Sequence, residues 1–216
     1  MKVTLKTISP DIENIIIEIA RVSSSRVDKT ENPAPLINHL IKNKHWSPFE
    51  HGSITMEIVT SKAIGIQLLR HRSFTFQEFS QRYAVVDAIE PIELRQQHKN
   101  NRQSSTEVFD PEVDNPIYPH DVLRASDAIT EFMEHSQTLY KTLLSQGVAR
   151  ECARMVLPMA TQTTIFMTGT VRSWIHLLDI RDDSHAQLEV QLIAKEMKRI
   201  FKEQCPLIAE ARGWKN

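Results

Sequence analysis

These 216 residues contain only two cysteines and five glycines, and each shortage excludes a class of protein. Cys152 and Cys205 lie far apart, in neither a CxxC pair nor a disulfide-like spacing, which excludes a cysteine-based zinc site and favours a reducing compartment. None of the glycines falls in GxGxxG or in GxxxxGK followed by Ser or Thr. The glycine-rich loops that cradle the phosphates of a dinucleotide or a nucleoside triphosphate are therefore missing, and a bound nucleotide has to be held by side chains. No stretch approaches the about 18 apolar residues of a membrane span. The opening MKVTLKTISPDIENII carries charges and lacks a small-residue cleavage signal, which predicts no secretory leader. A formal net charge of −1 gives no whole-chain attraction to nucleic acid or to an anionic membrane, so any anion binding must be local. Length and composition fit one cytoplasmic domain over residues 1–216 with a sizeable core.

Hydrophobic periodicity sets out the elements that are present. Pro10 with Ile12, Ile15, Ile16 and Ala20 predicts a helix from Ser9 to near Val22, and residues 35–44 predict a second. HWSPFEHG reads as a turn, and SITMEIVT as a half-buried strand with Ile54, Met56 and Ile58 inward. Residues 62–70 read as a helix that runs into a loop. Residues 87–119, polar and with prolines at 91, 111, 116 and 119, predict an inserted surface loop. A long amphipathic helix is expected over 120–146, with Ile129, Phe132, Met133, Ser136, Leu139, Tyr140, Leu143 and Leu144 on one face and Gly147 as its stop. ARECARMVL gives a helix halted by Pro158, and the β-branched TQTTIFMTGTV a strand. Two helical patterns flank Arg181 to Ser184, where Ser184 or Asp183 suits an N-cap.

The chemistry concentrates in RHRSFTFQEFSQRY, residues 70–83. Arginine forks suit phosphate and carbonyl oxygens, and histidine adds a donor near neutral pH. The bland reading is a solvated basic turn that Phe74, Phe76 and Phe79 pin to the core. A stacking platform for single-stranded nucleic acid is the third reading, disfavoured by the balanced charge. Arg150, Arg154, Arg172 and Arg181 sit in equally mixed settings, amid apolar sequence with polar neighbours. Four such segments favour a ligand site. Cys152, close to Arg150 and Arg154, is read as a small buried hydrophobe rather than a nucleophile.

Arg70-His71-Arg72, then seven residues, then Ser80, resembles the signature of flavin-dependent thymidylate synthases, and Glu78, Arg82 and Tyr83 extend it. ARVSSS at 20–25, HWSPFEH at 45–51, AREC-ARMVLP at 149–158 and LLDIRDDSHAQ at 177–187 follow in family order. The resemblance implies a mixed α+β fold with a central β-sheet flanked by helices, and a homotetramer whose active sites draw on several subunits. It implies methylation of dUMP to dTMP, with carbon from 5,10-methylenetetrahydrofolate and electrons from NADPH through bound FAD. By similarity Gln67, Leu68, Leu69, Arg70, Glu78, Phe79, Ser80, Gln81, Arg82, Arg154 and Arg181 meet dUMP. Arg181 is the catalytic residue, a cation that polarises the uracil ring. Ser23, Ser47, Glu50, Arg70, His71, Arg72, Ser73 and Glu78 resemble the FAD contacts, together with Thr170, Val171, Arg172, His176 and His185. Thr170, His176 and Gln77 stand where the family commonly has asparagine. A catalytically inactive nucleotide- or flavin-binding regulator of the same fold is the alternative.

Overall fold

A computed structural model of the chain describes residues 1–22, 32–115, 121–183 and 185–214. In chain order the elements are β1 (Lys2–Ile8), α1 (Ile12–Ala20), α2 (Ala34–Lys42), a 3-10 turn (Ser47–Glu50), β2 (Ser53–Ser61), α3 (Lys62–Leu68) and β3 (Phe74–Glu78). Four short strands follow: β4 (Arg95–Gln97), β5 (Ser105–Val108), β6 (Glu112–Asp114) and β7 (Val122–Arg124). The remainder is α4 (Ala125–Ser145), α5 (Arg150–Ala153), a second 3-10 turn (Arg154–Val156), β8 (Gln162–Thr170), α6 (Val171–Arg181), α7 (Leu188–Gln204) and α8 (Pro206–Ala211). The fold is mixed α+β. The chain divides into two compact units, one of Lys2–Ile58, Leu69–Gln77 and Ile165–Asn216, the other of Met1, Val59–Leu68 and Glu78–Thr164.

The first unit is organised by a sheet in the order β1-β2-β8-β3. Alternation along β2 buries Ile54, Met56 and Ile58 as the sequence predicts, and the same period in β8 buries Ile165 and Met167. Helix α6 supplies Val171, Trp174, Ile175, Leu177 and Leu178 to this core, and α7 supplies Val190, Ile193, Ala194, Met197, Ile200 and Phe201. Helix α7 packs on β1 and α6, and α8 on α2 and α7. Trp174 is wholly buried, and its indole N–H donates to the Ile54 carbonyl at 3.1 Å, so its one polar group is satisfied. The Phe74 ring meets the Trp174 ring edge to face at 4.9 Å. Phe74 fits there because position 169 is glycine: a Cβ on Gly169 would lie 2.4 Å from the Phe74 ring.

Several expectations are corrected in this unit. The first helix begins at Ile12, not Ser9, because Asp11 takes a left-handed backbone (φ 50) that no helix continues. Ser9 instead bridges to Ser53, its N–H donating to the Ser53 carbonyl and its Oγ accepting from the Ser53 N–H, both at 3.0 Å. Strand β1 goes unread in the sequence, because among its seven residues only Val3 is buried. Residues 74–78 are strand rather than loop. Helix α7 starts at Leu188, so Asp183 is not its cap, and Ser184 lies outside the described residues.

In the second unit, the described part of this loop, residues 87–115, is not structureless: β4 pairs antiparallel with β5, and β6 with β7. Strands of three or four residues, β5 exposed throughout, are too short for an alternation to be read. Helix α4 begins only at Ala125, after β7, and buries Ala128, Ser136 and Tyr140, while Phe132 and Leu139 face outward, 54% and 48% exposed. Gly147 ends that segment at φ 83, as its lack of a Cβ allows.

Gly169→Ala is expected to destabilise the protein by about 1–3 kcal/mol through overpacking. Chemical denaturation would show this, and pairing it with Phe74→Leu would return part of the loss.

Candidate active site

The 3-10 turn at residues 47–50 is pinned by buried Pro48 and Phe49, and it presents Glu50 beside the start of α6. One carboxylate oxygen of Glu50 takes the Arg172 guanidinium at 2.7 Å, and the other accepts the Thr170 hydroxyl proton at 2.9 Å. The Thr170 Oγ1 also accepts from the Ser173 N–H at 3.3 Å, and so caps α6. Ser173 donates from its hydroxyl to the Ser73 carbonyl at 3.2 Å, which ties the arginine-rich segment to the same helix end. Around these groups opens a cleft of about 490 Å³, lined by Glu50, Ser73, Thr170, Arg172 and His176 together with Trp46, Ser173, Ile175 and Asp179. Five sequence-predicted flavin contacts thus meet in one cavity. The Glu50–Arg172 pair is half exposed, so it orients these side chains more than it stabilises the fold.

At the other end of α6, Arg181 Nε donates to His71 Nε2 at 2.8 Å. For that bond His71 must be neutral at Nε2, with its proton on Nδ1. Burial, together with the nearby Arg181 and His176 charges, pushes the imidazole pKa down to about 4. A neutral acceptor fixes the guanidinium plane and leaves the arginine's charge undiminished for a ligand. Arg70 and Arg72 are exposed and carry no side-chain partner among the described residues.

The other predicted residues are placed as follows. Val171 is fully buried, its N–H donating to the Gly52 carbonyl at 2.9 Å. Ser47 is exposed, and Leu69 half-buried. His185 is exposed and bonded through Nδ1 to Asp183 at 2.5 Å; the His185 backbone N–H, and then this bond, hold the Asp183 carboxyl below its usual range. Ser23 lies outside the described residues.

In the second unit, Gln67 and the buried Leu68 end α3, and Glu78 Oε1 accepts from Lys62 at 2.7 Å and from Thr163 at 2.9 Å. The Phe79 N–H pairs with the Thr164 carbonyl at 2.8 Å, and the Ser80 carbonyl accepts from the Tyr83 and Ala84 N–H groups. Ser80, Gln81 and Arg82 therefore lie on a closed turn. Glu151 brings two predicted cations together: its carboxylate lies 3.8 Å from Arg82 Nε, and its carbonyl 3.4 Å from Arg154 Nε. Cys152, next in the chain, is exposed, which corrects its reading as a buried hydrophobe. Its helix, α5, has only four residues and buries Ala153 instead.

The sequence profile of the thymidylate synthase complementing protein family matches residues 4–207. The chain belongs to this family. It is 40% identical over 202 residues to the flavin-dependent thymidylate synthase of Synechocystis sp., covering 94% of this chain and 90% of that protein. It is 36% identical over 198 residues to the proteins of the same name from Thermosipho africanus and Kosmotoga olearia, covering 90% of this chain and 83% of each. Trp46, Ser173 and Asp179 also line the cleft without having been singled out in the sequence. Ser173 and Asp179 follow from helical spacing once Thr170, Arg172 and His176 are placed on one helix, because residues three and four apart share a face.

Because folding depresses the His71 pKa, the native state binds that proton less readily than the unfolded chain. Its contribution to stability is complete above the unfolded value of about 6.5 and is lost as pH falls towards 4. His71→Gln keeps an acceptor for Arg181 and removes the titration. Urea melts at pH 7 and 4.5 should show a smaller acid destabilisation in His71→Gln than in the parent.

Proposed function

We propose that this chain is a flavin-dependent thymidylate synthase, methylating dUMP to dTMP with carbon from 5,10-methylenetetrahydrofolate and electrons from NADPH by way of bound FAD. The observation that carries the reading is the gathering of Glu50, Ser73, Thr170, Arg172 and His176 around one cleft, on the helix that ends in Arg181. The donor set fits FAD: a guanidinium and hydroxyls suit phosphate and ribose oxygens, and the Trp46 ring offers an apolar wall. Ser73, Thr170, Arg172 and His176 would hold that cofactor, with Glu50 orienting Arg172. Bound FAD supplies the two-electron reduction that completes the methyl group.

The chain's own residues account for the rest. Carbon 5 of uracil is a weak nucleophile, and a fixed positive charge at the N3 and carbonyl edge stabilises the enolate-like density that develops during attack. Arg181 is assigned that role, with His71 accepting from its Nε so that the remaining N–H groups face the substrate. Arg70, Arg82 and Arg154 suit the dUMP phosphate, and Ser80, Gln81 and Glu78 its ring and sugar. Lys62 and Thr163 both donate to Glu78 Oε1 and so orient its carboxylate. Ser80 is a positioning group, because no general base adjoins its hydroxyl in the hydrogen bonds of the described residues.

We take residues 1–216 as one catalytic domain, since the family profile runs through both units. Free Cys152 and Cys205 favour a reducing cytoplasm, and no helix among the described residues is long and apolar enough to cross a membrane. A homotetramer with shared active sites completes the reading.

Purified protein should be yellow, with a flavin absorbance that bleaches under anaerobic NADPH, and should form dTMP from dUMP and methylenetetrahydrofolate. Arg181→Ala should lower kcat by on the order of a hundredfold or more, whereas Ser80→Ala should keep measurable turnover. Colourless protein that binds no added FAD would refute the assignment, and total loss in Ser80→Ala with dUMP and FAD bound would refute the positioning role. Light scattering should give a tetramer; a fully active monomer would exclude shared sites.

A further inference from the structure

The last turn of α6 carries an electrostatic problem. Asp179 and Asp182 sit at its C-terminal end, where the helix dipole is already negative and carboxylates are disfavoured. Each is answered by a cation from the C-terminal part of the chain. Lys198 Nζ meets Asp182 Oδ2 at 2.6 Å, with both side chains about four-fifths buried, at 23% and 20% exposure. Arg212 Nη2 spans the Asp179 carboxylate, at 2.7 Å from Oδ1 and 2.6 Å from Oδ2. The two cations share one ring: the Trp214 centroid lies 4.8 Å from Lys198 Nζ and 5.8 Å from Arg212 Cζ.

Trp214 is itself held in place. Gly213 adopts φ 69, which lets the chain turn back after α8, and the Trp214 N–H donates to the Ala209 carbonyl at 2.9 Å. Its ring packs edge to face on Phe201 of α7 at 5.7 Å. A single aromatic side chain thus couples two ion pairs that grip consecutive faces of the turn bearing Arg181. Among the described residues, the Arg181 side chain makes one hydrogen bond, to His71, so its aim depends on where that turn is held.

We propose that Lys198, Arg212 and Trp214 form a clamp that positions Arg181 by holding the last turn of α6, and that Arg212 also neutralises Asp179 in the wall of the cleft. The inference rests on the role assigned to Arg181. These are positioning residues: their effect on the reaction passes through the helix end, and a displacement of about 1 Å at a reacting group is enough to cost a large factor in rate.

The test uses the full-length, flavin-loaded protein and the variants Lys198→Met, Arg212→Met, Trp214→Ala and Trp214→Phe, assayed at a temperature where each is folded. Turnover and KM for dUMP are measured beside amide hydrogen exchange of residues 178–182, the latter also on flavin-free protein. Trp214→Ala and Lys198→Met are expected to lower kcat by about tenfold and to speed exchange in that turn, with flavin content retained and Trp214→Phe restoring most of both. Should Trp214→Ala fail to fold, the two methionine variants carry the comparison. Parental kcat with parental exchange in Lys198→Met and Arg212→Met overturns the clamp, as does a variant that loses only melting temperature. Arg181→Ala run alongside separates the layers: parental turnover there sinks the role of Arg181, while fast exchange in the clamp variants would still stand.

Discussion

Burial of Trp174 is the constraint on which the sheet unit turns. Its indole is wholly buried, bonded to the Ile54 carbonyl of β2 and edge-on to the Phe74 ring of β3. That contact exists only because Gly169 leaves room for the Phe74 ring. A side chain of this size has few ways to pack, so it sets the rotation of α6 about its own axis. Everything chemical on α6 inherits that rotation. Thr170 and Arg172 emerge towards Glu50, Ser173 towards the Ser73 carbonyl, and Arg181, near three turns away from the cap, towards His71.

The charges around this helix are arranged in two layers of different purpose. Near its start, Glu50 neutralises part of Arg172 while both stay accessible, so a stronger anion can compete for the guanidinium without a large desolvation cost. Near its end, the carboxylates of Asp179 and Asp182 are engaged by better buried partners, and those pairs act on position rather than on binding. The contrast follows from exposure, and it is sharpest for Lys198–Asp182, where both side chains are mostly buried. A half-exposed ion pair is weak and exchangeable, whereas a mostly buried one is destabilising to break because a charge is left unpaired.

The parts of this fold legible in the sequence are those whose burial follows a regular period. Strands β2 and β8 and helices α6 and α7 announce themselves because one face of each is packed against the core. β1 and β4–β7 do not, since β1 lies at the sheet edge with one buried residue and the others are too short and exposed for a period to stand out. Local backbone events were equally hidden: nothing in SPDIEN says that Asp11 will turn left-handed. The site divides in the same way. Glu50, Ser73, Thr170, Arg172 and His176 were legible through motif resemblance, and the structure gathers them. The Asp179–Arg212 and Asp182–Lys198 pairs were not, because partners 33 and 16 residues apart become neighbours only when α6, α7 and the C-terminal turn pack.

The pairing of an arginine with a neutral histidine, rather than with a carboxylate, has a consequence for chemistry. A carboxylate at the same place would hold Arg181 as firmly but would cancel most of its charge, and the field felt by a nearby ligand would collapse towards that of a dipole. A histidine that could protonate easily would repel the guanidinium and give up the acceptor nitrogen. Burial beside Arg181 and His176 removes that second failure by making the imidazolium unfavourable until well below neutral pH. The result is a cation that is oriented and yet unneutralised, the combination that stabilising a developing negative charge requires.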